Sequence, residues 1–392
     1  MSAGVESGPP RIPLHRDPRV RAFLIQLLLC VALGGAAWLL VEEVRANLVL
    51  HHIASGFGFW NRPAGFDISQ TLIEYSSSTS SYGRAFLVGL LNTLLVAVIG
   101  IVLATVVGFV VGIAQLSTNW LVARLAFGYV QVIRNIPLLV QLLFWYNAVL
   151  KALPDFRDSV RIPGGGYLNN RGLILPAPDL GGAGHLMFWV LIAGIAGAVA
   201  AGMLARRGRL GGTTAGAIGV ALVFGLPAAA WLAGGASLSF DYPEMSRFNL
   251  TGGMEIQPEL VALVIGLTIY TGAFIAETVR AGLMAVPRGQ AEAAAALGLS
   301  RTTALRRVII PQAMRVIIPP LTNQYLNLTK NSSLAVAIGY PDLVQIFTGT
   351  ALNQTNQAVE IVAITMAVYL AISLVTSVGM NVYNARIAPS ER

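Results

Sequence analysis

The chain has 392 residues, of which 55% are hydrophobic and only 11% charged, a balance that excludes an ordinary soluble domain and points to a multi-span membrane protein. Its formal net charge of +8 is not gathered into a basic patch interleaved with aromatics, so nucleic acid is excluded as a partner. The single cysteine, Cys30, lies in an apolar run, which rules out an intrachain disulfide and a zinc cluster.

Residues 1–21 are Pro-rich and basic, with Arg11, Arg16, Arg19 and Arg21. Residues 22–41 form an uncharged apolar run that is long for a signal peptide and meets Glu42 and Glu43 at once, so it reads as a retained first span. Leu29 before Cys30 is too large for a lipoprotein cleavage site. Residues 42–84 read as a polar loop whose adjacent His51 and His52 have no partner ligand and are structural. A second span lies within 85–116, with Gly89, Gly100, Gly108 and Gly112 along it; such small residues let helices approach closely in lipid.

Residues 119–134 are apolar but interrupted by Arg124 and Arg134, and read as an amphipathic segment at the inner surface. Residues 137–150 make a short third span. A Gly/Pro-rich loop without a sustained period follows over 151–185. Residues 186–205 and 214–238 form spans four and five, hinged by Arg206-Arg207-Gly208-Arg209, and 239–258 is a second outer loop. Span six covers 260–284, with Glu277 and Arg280 near its inner end at a spacing that lets them pair on one helix face. Span seven, 316–339, is broken by Pro319 and Pro320, and a short outer loop over 340–357 leads to span eight, 358–383.

The predicted fold is therefore an all-α polytopic membrane protein of about eight transmembrane helices. With both termini in the cytoplasm, the cytoplasmic segments hold 17 of the 26 Lys+Arg and 5 of the 18 acids. The positive-inside rule demands that bias.

Between spans six and seven runs the stretch 287–311, PRGQAEAAAALGLSRTTALRRVIIP. Glu292 to Leu297 are strong helix formers, and Glu292 is placed in the opening turn of their helix. Gly298 then ends it, as glycine does just past a helix C-terminus. Ser300 caps a second short helix with a basic face of Arg301, Arg306 and Arg307, and Pro311 stops or kinks it. This is a helix–turn–helix too charged to lie in lipid.

Glu292-Ala293-Ala294, Gly298 and Ile310-Pro311 match, at the right spacing, the cytoplasmic EAA loop of permease subunits of bacterial ABC importers. Val308 departs from the isoleucine usual there, a conservative change. The flanking 286–290 and 297–300, and Arg134-Asn135-Ile136-Pro137-Leu138-Leu139-Val140-Gln141, resemble the polar amino acid branch; the long chain, with Leu168-Asn169-Asn170-Arg171-Gly172, is similar to the permeases of general L-amino acid uptake systems. The resemblance implies an ABC importer permease core in the bacterial inner membrane, with an EAA coupling helix that docks into a groove on a separate ATPase subunit. In that reading Glu292, Ala293, Ala294, Gly298 and Pro311 carry the coupling. The implied partners are ATP-binding cassette ATPase subunits, a second permease (identical or paralogous), a periplasmic amino acid binding protein, the L-amino acid itself and membrane lipid. ATP is used by the partner, and this chain binds no cofactor or metal.

The residues agree that ATP is not hydrolysed here. A phosphate-cradling loop needs Gly-x-x-x-x-Gly-Lys-Ser/Thr, and neither lysine, Lys151 or Lys330, follows such a pattern. There is no Gly-x-Ser-x-Gly elbow or His-Glu-x-x-His helix either, so the chain is not an enzyme. For the substrate path the first candidate is Lys330, with Asn331 and Ser332 beside it, because a charge at membrane depth is costly. Asn331 stands where the resembling family usually has aspartate. Two readings of Lys330 stand level: it attracts a substrate carboxylate, or it pairs within the bundle or snorkels to an interface. Gln141, Asn92, Thr93 and Asn135 are weaker candidates, since amides within bundles more often join helices.

By domain, residues 1–84 hold the N-terminus, first span and an outer loop, 85–150 the first half of the core, 151–258 an inserted block, and 259–392 the second half with loop 287–311. The rival class is a stand-alone secondary transporter or channel, whose mark is broken helices with paired intramembrane acids. The predicted spans contain almost no acid beyond Glu277.

Overall fold

The computed structural model describes residues 18–50, 56–179, 184–206, 210–233, 239–246 and 250–387. Arg11 and Arg16, the His51 and His52 pair, and Arg207 and Arg209 lie outside the described residues.

Helix α1 (Pro18–Leu50) carries the first apolar run and continues through Glu42 and Glu43. Helix α2 (Tyr82–Ala114) starts at Ser81, whose Oγ accepts from the Arg84 N–H at 3.3 Å. Helix α3 (Trp120–Asn135) is capped by Asn119 and ends just short of Pro137. Ile136 is extended, at φ −99 and ψ 125, the conformation forced on a residue before proline. The chain therefore turns by 104° into α4 (Leu138–Leu143) and a π-helical continuation over Phe144–Leu150. The expected amphipathic segment and short third span are thus two arms of one bent pair.

The two segments expected as outer loops, 151–185 and 239–258, are not structureless. Strands β1 (Val160–Ile162), β2 (Gly166–Asn169) and β3 (Gly172–Leu175) form a meander. Strand β4 (Ala177–Asp179) pairs with β5 (Ser239–Asp241), β6 (Glu244–Met245) with β7 (Leu250–Thr251), and β8 (Met254–Ile256) closes on β3. These strands are two to four residues long, and β3–β8 and β4–β5 pair across the intervening helices, so no local period announces them. The β3–β8 ladder holds both ends of the intervening segment together. Within that segment α5 (Gly184–Arg206) packs back on α6 (Gly212–Val220), a π turn at Ala221–Gly225 and α7 (Leu226–Ala233). Gly194 makes this possible, since a Cβ there would lie 2.3 Å from the Leu222 carbonyl oxygen. The apolar stretches of this hairpin, Trp189–Ala205 and Thr214–Ala230, span about 26 Å, a little less than the hydrocarbon core of roughly 30 Å.

Helix α8 (Pro258–Met284) has proline in its first turn and is the centre of the molecule. It is followed by α9 (Arg288–Ala296), α10 (Arg301–Ala304), a π turn at Leu305–Ile309 and α11 (Ile310–Asn331). The second loop helix does not stop at Pro311. The backbone stays helical from α10 through the π turn into α11 and past Pro311. The π turn lies just before the residue whose missing N–H would interrupt a regular α-helix. Nor do Pro319 and Pro320 break α11, which runs through them; packing against neighbouring helices allows that in a membrane bundle. A 3-10 segment, Ser332–Ile338, ends at Gly339. Residues expected as a short outer loop are instead a π helix over Val344–Ala351 and α12 (Leu352–Thr355), before α13 (Ala358–Ile387).

Among the described residues four helices are long and apolar enough to cross a membrane, Arg21–Val44, Tyr82–Ala114, Pro258–Met284 and Ala358–Val382, and the bent pair makes a fifth if counted as one span. Small residues draw α2 onto α8: Gly108 lies under Ile275, and Gly112 against the Ala276 carbonyl and Val279. Gly89 meets the backbone of Leu343, and Gly100 meets Leu328. All four glycines singled out in the sequence therefore sit on the packed face of α2. On α8, Gly282 receives Ile317 of α11. At the other end Phe59 is fully buried among Trp60, Tyr82 and Phe347, which fastens the 56–81 segment over the bundle.

Candidate functional site

The stretch 287–311 folds as two helices around a glycine break. Leu299 N–H donates to the Ala294 carbonyl at 3.1 Å and Gly298 N–H to the Ala295 carbonyl at 2.9 Å, the paired bonds of a Schellman end. Gly298 has φ +72, which side-chain-bearing residues reach only at a cost of roughly 1–2 kcal/mol. Ser300 Oγ then accepts from the Thr303 N–H at 3.3 Å, capping α10 as expected. Pro287 precedes α9, so Glu292 lies in its second turn, beyond the exposed amides of the first. The expected placement of Glu292 in the opening turn is corrected: its carboxylate cannot compensate those amides. It is exposed and forms no ion pair among the described residues.

Ala294 faces inward, 3% exposed, and packs α9 against the turns after α10. Ala293 is exposed, and Leu297, at the helix end, is 79% exposed. The unit is anchored to the bundle by Gln312 Nε2, which donates to Gln290 Oε1 at 3.1 Å. It presents a carboxylate, alanines and one bare leucine to whatever docks there.

Lys330 is exposed near the end of α11 and lines a cavity of about 380 Å³ with Ser333, Val344, Thr365, Met366, Tyr369, Leu370 and Ser373. Asn331 and Ser332 do not line it. Ser332 is fully buried, and its Oγ donates to the Thr329 carbonyl at 2.7 Å. Gln141 is buried at the 104° bend, where its Nε2 donates to the carbonyls of Ile133 and Ile136, both at 3.0 Å. Its amide holds the end of α3 in place.

Asn92 and Thr93 act as the joining groups expected of them. Asn92 Nδ2 donates to the Gln70 and Pro341 carbonyls at 2.9 and 2.8 Å, and Thr93 Oγ1 accepts from the Leu343 N–H at 3.0 Å. Asn135 is exposed and bonds only within α3. Asp342, absent from the sequence candidates, is fully buried in the turn between these groups. Its Oδ1 accepts from Gln345 N–H at 2.8 Å, capping the π helix, and its Oδ2 from Tyr369 OH at 3.2 Å. The Pro-Asp pair at 341–342 was the available signal, since aspartate before a helix is a cap. Glu277 and Arg280 form the expected i, i+3 pair, at 2.5 Å.

The chain matches the family of binding-protein-dependent transport system inner membrane components over residues 253–389. It is 50% identical, over 96% of both chains, to the protein of Escherichia coli described as "Putative amino-acid ABC transporter permease protein YhdX". It is 49% identical to the general L-amino acid transport system permease protein AapQ of Rhizobium johnstonii, covering 96% of this chain and 94% of the relative. Among solved structures it is similar to the crystal structure of an amino acid ABC transporter with histidines, at 24% identity and TM-score 0.47, over 78% of this chain and 95% of that one. On the near-complete match to its relatives, the chain belongs to the amino-acid ABC transporter permeases and is a membrane transport subunit rather than an enzyme.

Proposed function

We propose that this permease moves L-amino acids across the bacterial inner membrane in an importer driven by a separate ATPase, with stretch 287–311 as the coupling element. The observation that carries the proposal is the helix pair itself: a rigid unit fixed at Gly298, bonded to α11 through Gln290 and Gln312, and projecting Glu292 and Leu297 outward. Ala293, Ala294, Gly298 and Pro311 shape it. ATP stays with two cassette ATPase subunits, a binding protein delivers the amino acid from the periplasm, and a second permease completes the pathway. ATP binding closes the ATPase pair, the docked helices act as a lever on α8 and α11, and the path opens outward; resetting releases the cargo inside.

The chain is read as about eight spans, with both termini cytoplasmic and 151–258 an insertion in a core made by 85–150 and 259–392. The β3–β8 ladder that closes the insertion's ends supports that division. A reporter active only in the cytoplasm should give signal when fused after Arg209 and none after Arg247. The reverse at both positions overturns the orientation.

Lys330 is assigned to the substrate path as a cation for the cargo's carboxylate, with Asn331, Ser332 and Gln141 as further candidates along it. Removing one charge-assisted hydrogen bond costs about 1.5–3 kcal/mol, so Lys330→Met should lower uptake by about tenfold or more while the complex still assembles. Failure of the mutant to accumulate in the membrane would make the lysine structural, and unchanged uptake would dismiss both roles. The energy source is tested by uptake in cells whose proton-motive force is collapsed while ATP is kept high. Continued uptake is expected, and its loss would favour a secondary transporter.

A further inference from the structure

From Ala293 to Pro341 the chain carries no acidic residue, yet it carries Arg301, Arg306, Arg307, Arg315 and Lys330. The four arginines fall on one unbroken helical path through α10, the π turn over Leu305–Ile309 and the start of α11. All four are exposed, and none forms an ion pair among the described residues. Leu305 and Ile310, 46% and 40% exposed, are interleaved with them. Cations alone suit water, whereas cations alternating with bare apolar side chains suit the boundary between headgroup and acyl chain. An arginine carries its charge well away from its own backbone, so side chains at different heights can meet one headgroup layer.

The ATPase is the competing occupant. Ala294 is buried where α9 packs on the turns after α10. Glu292, two residues earlier, lies about 200° round the helix axis from it and is exposed. The arginine-bearing turns therefore back α9 on the side away from Glu292, and no acid of their own segment neutralises them.

We propose that Arg301, Arg306, Arg307 and Arg315 hold anionic phospholipid headgroups of the inner leaflet, with Leu305 and Ile310 at the acyl boundary. The negative potential of such a leaflet attracts a cluster of this kind and fixes it at the surface. Gln290 and Gln312 bond α9 to α11 across this segment, so the lipid steadies the base of the coupling stretch while its outward face stays free. The choice of leaflet rests on the importer reading above; the preference for anionic lipid does not.

The test uses the whole transporter in detergent, mixed with equal amounts of phosphatidylglycerol and phosphatidylcholine of the same acyl chains and re-isolated. Its retained lipid is quantified by mass spectrometry. Phosphatidylglycerol should be retained at least threefold over phosphatidylcholine. Salt at about 1 M, which screens charge within about 3 Å, should erase the preference. Arg306→Gln/Arg307→Gln should lower it at least twofold, and Arg306→Lys/Arg307→Lys should keep most of it, because lysine keeps the charge. Arg62→Gln/Arg161→Gln, which removes two exposed charges from the segments read as outer, should leave it unchanged. No preference in the parent, a preference untouched by Arg306→Gln/Arg307→Gln, or an equal loss in the outer pair overturns the proposal. Loss of the ATPase from Arg306→Gln/Arg307→Gln with the lipid preference intact also overturns it, and assigns the arginines to the ATPase. If that variant does not accumulate, Arg301→Gln/Arg315→Gln carries the same expectation. Stimulation of ATP hydrolysis by loaded binding protein, in the same preparation, reports separately on the importer reading.

Discussion

Gly298→Asp should give a permease that reaches the membrane in normal amount but no longer retains its ATPase or no longer transports. The residue belongs to no span, so insertion does not depend on it. It sits at φ +72, where a side chain costs roughly 1–2 kcal/mol. Open space surrounds a Cβ at this position, so the penalty is conformational rather than steric. The chain relieves it by leaving the left-handed region, which breaks the bonds to Ala294 and Ala295 and changes the angle between α9 and α10. Gly298→Ala should show the same defect at least as strongly, because aspartate tolerates the left-handed region better than alanine does. Glu292→Lys should also act mildly, because it reverses an exposed charge without altering the backbone. Co-purification of the ATPase and its stimulated hydrolysis in lipid are the measurements. Wild-type values in Gly298→Asp would reduce the stretch to a connector.

The largest effect on folding is expected from Gly112→Val. A Cβ at Gly112 would lie 2.7 Å from the Ala276 carbonyl oxygen and 2.8 Å from Val279 Cβ. The first of these is backbone of the central helix and cannot rotate away. Overpacking of a core costs about 1–3 kcal/mol where side chains can adjust, so this site should reach or exceed the upper end. The amount of folded permease in the membrane fraction should fall at least threefold, with faster aggregation on heating in detergent. Gly34→Val in α1 adds the same bulk where nothing lies within 4 Å and should be silent. Equal behaviour of the two variants would mean that α2 and α8 are not in close contact.

What could be read from the residues followed how each element is stabilised. α1, α2, α8 and α13 are set by long apolar runs, which need no partner to be recognised. The glycines of α2 announced a packed face for the same reason: in lipid, close approach is the available driving force. The Gly298 break and the Ser300 cap were legible because both are local hydrogen-bond chemistry. The rest depends on contacts distant in sequence. β3 pairs with β8 across the whole hairpin, and strands of two to four residues show no alternation. Pro311, Pro319 and Pro320 suggested breaks, yet α11 tolerates them within a bundle. Residues 340–357 read as a loop between two apolar runs, whereas Asp342 starts a helix there. Lys330 stood out by its charge. Gln141 holds the bend between α3 and α4, and a buried amide has the same sequence signature whether it joins helices or lines a path.

The account turns on the stretch 287–311 being the surface that meets the ATPase. Leu297 is its most exposed apolar side chain, at 79%, and replacing it with a photo-crosslinking phenylalanine analogue leaves the Gly298 turn in place. Irradiation of cells expressing the whole transporter should then yield one dominant adduct, of this chain with the ATPase subunit. The same analogue at Phe57, 65% exposed at the opposite end of the bundle, should yield none with that subunit. An ATPase adduct from position 57 but not from position 297, or from neither, would contradict the account.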